Sequence, residues 1–134
     1  MEEISEVFDS AEQINLYNEG KKTSYSSVDG NYEVILECWN NTINGALEMP
    51  AYGVSLNNLT VQEMQKNLWL EFDFGKRLEH NEMPFEKLLV HVDKGYYGFN
   101  LIRYNSAVGY DGRCFYLDLN GKNMDNLYEL LIDL

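Results

Sequence analysis

The chain has 134 residues, 45% of them apolar, and a net charge of -12 from 22 acids and 10 bases. That length suits one domain, 1–134, with a buried core, and the apolar content speaks against a disordered chain. The acidic balance repels phosphate backbones, so nucleic acid is not an expected partner and a basic protein is.

The N-terminal stretch MEEISEVFDS lacks the basic and apolar regions of a signal peptide. No apolar run reaches the ~20 residues of a membrane helix. A cytoplasmic protein without membrane contact is therefore expected, with Cys38 and Cys114 reduced.

Taken in order, Ile4, Val7, Phe8, Ala11 and Ile14 recur at helical spacing and predict a helix over Glu2 to Glu19, six acids on its outer side. Ser24 to Ser27 reads as a short strand, and Asp29-Gly30 as a turn. Tyr32 to Trp39 reads as a strand, with Glu33, Ile35, Glu37 and Trp39 on its polar side. Gly45 to Leu56 returns as one or two short strands. Thr60-Val61-Gln62-Glu63 has the form of a capping box opening a short helix to about Asn67.

Leu68 to Gly75 alternates cleanly: Leu68, Leu70, Phe72 and Phe74 face the core, and Trp69, Glu71 and Asp73 face away. Gly75 to Pro84 reads as a polar loop. Phe85 to Tyr104 reads as a hairpin turning at Lys94-Gly95, which pairs Val90 with Phe99 and Leu88 with Leu101. That register puts Leu88, Val90, Val92, Tyr97, Phe99 and Leu101 on one face, with His91, Asp93, Tyr96 and Asn100 on the other. In the strand Arg113 to Leu119, Phe115 and Leu117 point inward while Cys114, Tyr116 and Asp118 point outward. Asn123 caps a final helix with an apolar side of Met124, Leu127 and Leu131. The expected fold is two-layer α+β: a mostly antiparallel sheet of about five to six strands, with N-terminal and C-terminal helices on one face.

No GxGxxG, P-loop, GxSxG, HExxH or EF-hand pattern occurs. His91-x-Asp93 places two ligand types on one strand face, but a metal needs three or four, so neither metal nor cofactor is expected. Weak catalytic candidates are His91 as acid or base, with Asp93 or Asp118 as its orienting carboxylate. The more informative pattern is aromatic rings among acids on the outward face. Glu37, Trp39, Trp69, Glu71, Asp73, Tyr96, Asn100 and Tyr116 are the expected binding surface.

The reading that follows is a non-catalytic interaction protein that offers this face to a basic protein, with the oligomeric state left open and a homodimer among its options. Small acidic bacterial inhibitor and immunity proteins share that physical logic, a likeness of charge alone. The alternative is a small-molecule-binding domain or small enzyme using the same face around His91. A deep pocket near His91, Asn100 and Tyr116 would favour it.

Overall fold

The computed structural model describes residues 3–50 and 53–134. Two short 3-10 turns, Ile4–Glu6 and Phe8–Ser10, precede the strands β1 (Gln13–Asn18) and β2 (Lys21–Ser26). Helix α1 (Gly30–Ile43) follows, then β3 (Leu47–Met49), β4 (Val54–Ser55) and α2 (Asn57–Glu63). The long strands β5 (Leu68–His80) and β6 (Met83–Val92) lead to β7 (Gly98–Tyr104), β8 (Gly112–Arg113), β9 (Phe115–Asp118) and α3 (Asp125–Ile132).

The strands form an antiparallel seven-stranded sheet in the order β2-β1-β5-β6-β7-β9-β3, with β4 and β8 paired separately. The fold is α+β, and its strand count exceeds the expected five to six. No helix among the described residues is long and apolar enough to cross a membrane.

One face of the sheet carries the main core. Ile14 and Leu16 on β1 lie beside Phe72 and Leu70 on β5. Leu88, Val90, Leu101, Phe115 and Leu117 continue the layer, all nearly inaccessible to solvent. Phe8, α1 and α3 cover it, with Ile35, Trp39, Leu127 and Leu131 pointing in. Trp39 sits at the centre, its ring 5.0 Å from Phe8, 4.9 Å from Phe72 and 5.4 Å from Phe99.

Two sequence expectations fail here for the same reason. The segment Tyr32 to Trp39 is helix, not strand, and lies within α1. Its buried residues Tyr32, Ile35, Trp39, Thr42 and Ile43 recur three, four and three residues apart, a helical stripe, before the adjacent Ile43 ends it. At the N-terminus the helical spacing is broken. Ile4 and Phe8 are buried from 3-10 turns, and Ile14 and Leu16 then obey the two-residue period of β1. Glu2, the expected start of that helix, lies outside the described residues.

The polar segment expected as a loop is instead the end of one hairpin. β5 runs on to His80 and β6 begins at Met83, with Asn81 and Glu82 both at positive φ in the two-residue turn. The pairing shifts register between Asp73 and Leu78. Gly75 lies in that irregularity at φ +68, and a Cβ there would collide with the Glu12 carboxylate.

The next hairpin keeps the expected faces of its paired strands but not its register, and Tyr97, expected on the core face, precedes β7 and is exposed. Leu88 pairs with Arg103 and Leu89 with Ile102, two positions further than a Lys94-Gly95 loop would give. A two-residue slip preserves the face of every side chain. The longer tip is held by α3: Gly95 N–H donates to Asp125 at 2.8 Å, and Lys94 pairs with Glu129.

Candidate functional site

The second face of the sheet bears Asn15, Tyr17, Trp69, Glu71, Leu89, His91, Asn100, Ile102 and Tyr116, as alternation along each strand requires. One part of it is sealed. Met64, just after α2, and Tyr110, in the β7–β8 connection, pack on Trp69 and Leu89 as a second small core. Trp69 Nε1 donates to the carbonyls of Glu63 (3.1 Å) and Lys66 (2.8 Å), fixing α2 over the sheet. Asn57 accepts from Tyr110 N–H at 2.9 Å, and the first amide of α2 donates to Asp111. Thr60, expected as the cap of this helix, sits inside it and hydrogen-bonds Ser55.

Glu71 lies under this cover, 0% exposed. Asn15 Nδ2 donates to it at 2.9 Å and the Tyr17 hydroxyl at 3.2 Å, and the Tyr110 hydroxyl binds its other oxygen. Asn15 in turn accepts from Gln13 and Ser24. Burial, reinforced by the neighbouring carboxylate, pushes both phenols well above their ordinary range, so each keeps its proton and donates. The donors satisfy a buried acid for which the described residues provide no ion pair.

Beyond that cover the face opens into a cleft of about 320 Å³, walled by Trp69, His91, Tyr96, Asn100, Ile102 and Tyr116. A second hollow of about 250 Å³ shares Trp69, Asn100 and Ile102 with it and extends to Val54, Leu56, Leu59 and Glu63. Glycines open the floor. A Cβ on Gly98 would strike the Tyr116 hydroxyl, and one on Gly53 would come within 2.6 Å of Asn100 Oδ1.

His91 is half-buried at the centre of this wall. Its ring stacks on Trp69 at 4.7 Å and meets Tyr96 edge-on at 5.3 Å. Nδ1 hydrogen-bonds the Tyr96 hydroxyl at 3.1 Å, whereas Nε2 is buried with no partner among the described residues. Burial lowers the imidazole pKa, opposed by the charges of Asp93 and Glu63. Cys114, at the edge of the hollow, is a poor nucleophile because burial pushes its thiol up to about 11. Among the described residues no three His, Cys, Asp or Glu side chains are grouped to hold a metal.

The expected binding surface is thus brought together only in part. Trp69, Tyr96, Asn100 and Tyr116 wall the cleft with His91. Trp39 does not belong: it is in the main core behind the sheet, and Glu37 is exposed on α1 in the helical layer. Glu71 shares the face but is sealed from solvent. Asp73, Asp93 and Asp118 each accept a backbone N–H in a turn, from Gly75 at 2.9 Å, Lys94 at 2.8 Å and Asn120 at 2.8 Å.

The wall residues that sequence reasoning missed are Ile102, Leu59 and Glu63. Their signal was weak: an apolar residue on the polar side of β7 and an apolar position opposite the buried side of α2. No protein-family model, curated protein or solved structure matches this chain.

Proposed function

We propose that the chain is a binding protein that takes a small, largely apolar ligand in the cleft between Trp69, His91 and Tyr116. One observation carries the reading: this is the part of the second sheet face that α2 and the β7–β8 connection leave open, and it is concave and aromatic rather than flat. Its volume, with the adjoining hollow, is that of a small-ligand site, which typically spans about 300–1,000 Å³. Chemistry on the ligand is not part of the reading, because Asp93 and Asp118 are engaged in turns and do not orient His91.

The test is amide chemical-shift mapping with a library of neutral aromatic fragments. Shifts are expected at His91, Gly98, Asn100 and Ile102, and their loss is expected in Asn100→Trp, which fills the cleft from an exposed position. A library that leaves those amides unmoved would refute the reading.

A second reading, binding of a basic protein, is favoured by charge. Among the described residues Glu71 is the one buried carboxylate, and the ion pairs are His80–Glu48 and Lys94–Glu129. The remaining acids still far outnumber the bases in a chain of net charge -12, and keep its surface negative. A cleft of about 330 Å³ with Ile4, Val7, Leu78 and Phe85 as apolar lining has Glu3, Glu79 and Glu82 around it. Such a surface steers a cationic protein and loses it as salt screens the field. Capture of a basic partner, weakened by salt and by E79Q with E82Q, would favour this reading; affinity indifferent to both would remove it.

A further inference from the structure

We propose that the cleft beside His91 selects an organic cation: an ammonium or guanidinium carried on an apolar body. This deepens the ligand-binding reading and rests on it.

The inference starts from the charge of the walls. Among the described residues neither the cleft nor the adjoining hollow is lined by a lysine or arginine, and the charged side chain lining them is Glu63. Asp93 lies close enough to act on His91 electrostatically, as Glu63 does. An anion entering would meet this field with no base to receive it. A cation would gain from Glu63 and from the net negative protein.

The walls themselves favour the same ligand. Tyr96 and Tyr116 supply aromatic rings, whose faces attract ammonium and guanidinium groups, on a wall backed by Trp69, whose own ring is stacked on His91. Trp69 is held by its bonds to the Glu63 and Lys66 carbonyls, so its ring is fixed before any ligand arrives. His91 supplies a polar contact. When Nδ1 donates to the Tyr96 hydroxyl, Nε2 carries a buried lone pair with no partner among the described residues, an acceptor that a ligand N–H could satisfy. Asn100, exposed at the junction of cleft and hollow, adds a carbonyl oxygen. Burial lowers the basicity of His91, which keeps that lone pair available near neutral pH.

The same chemistry is carried by a free arylalkylamine and by a lysine or arginine side chain of a basic protein. The test separates charge from shape and then the two sources. Three probes with one ring system are titrated by calorimetry at low salt: tryptamine (cation), 3-ethylindole (neutral) and indole-3-acetate (anion). The expected order is tryptamine, then 3-ethylindole about five- to tenfold weaker, then the anion weaker still. E63Q should remove most of the gap between the first two. E33Q, which takes the same charge from an exposed position in the first turn of α1, should leave it.

Equal binding of tryptamine and 3-ethylindole would overturn the cation preference while leaving the ligand-binding reading intact. Failure of all three, together with a lysine-bearing basic peptide, would overturn both. Binding of the peptide alone, lost on acetylation of its lysine and weakened by E63Q, would support the preference and name a protein as the source.

Discussion

The two faces of the sheet are built by opposite rules. The face under α1 and α3 is a layer of aliphatic and aromatic side chains, closed by Trp39 and Phe8. It holds by burial and by edge-on ring contacts. The other face is covered by a seven-residue helix and by the β7–β8 connection, and it buries a carboxylate. There the apolar area is small, and the cover is fastened by hydrogen bonds that Trp69 and Tyr110 donate, Asn57 accepting one of them. A helical layer can close a face fully. A cover made of one short helix and a connection closes half of it, and the remaining half is the cleft.

Substitutions on the two faces should fail differently, and the largest effect belongs to the helical side. Trp39→Ala should cost about 3–5 kcal/mol in urea unfolding, through the lost contacts and the cavity left among Phe8, Phe72 and Phe99. Trp39→Phe should cost clearly less, because the indole N–H it removes is buried with no partner among the described residues. If the two cost the same, Trp39 is not the packing centre described.

On the second face Glu71→Leu removes the acceptor of Asn15, Tyr17 and Tyr110 at once. A stranded buried donor costs about 1–3 kcal/mol. The loss should approach that of Trp39→Ala, because Asn15 and Tyr110 are both buried, whereas Tyr17 is only half-buried and can turn toward water. The informative readout is hydrogen exchange: amides of α2 and of 105–111 should lose protection, while those of α1 and α3 keep it. Uniform loss over both layers would show that the two faces are not separately fastened.

This asymmetry also explains what the sequence shows and what it hides. Leu68 to Phe74 and Leu88 to Leu101 alternate against a purely apolar layer, so their faces are readable from period alone. The hairpin register escapes by two residues because Asp125 and Glu129, thirty or more positions on, hold its tip. Helix α1 was legible but misread. Ile35 and Trp39 are out of phase for a strand and in phase for a helix, and Asn40, Asn41 and Asn44 conceal how far it runs. His91, Asn100 and Tyr116 came together because alternation puts them on one face, and Tyr96 meets His91 from the connection before β7. The burial of Glu71 could not be foreseen: it depends on Asn57 tying down Tyr110, a partnership 53 residues apart in sequence.

The smallest effect concerns His91, and it bears on the open half alone. Its folded pKa is depressed by burial, with Asp93 and Glu63 opposing and Tyr96 and Trp69 filling the remaining contacts. The unfolded chain then takes up this proton first, beginning near the ordinary value of 6.5. Stability should therefore fall as pH drops below about 6.5, and this group's share should level off once pH passes below the folded value. His91→Gln should flatten the slope of unfolding free energy between neutral and mildly acidic pH, whatever it does to absolute stability. A ligand cation should steepen the slope, since a protonated imidazole would repel it and surrender the lone pair that holds it. An unchanged slope in the variant would mean that His91 meets water freely, and the cleft would then lack the dry polar contact on which its selectivity depends.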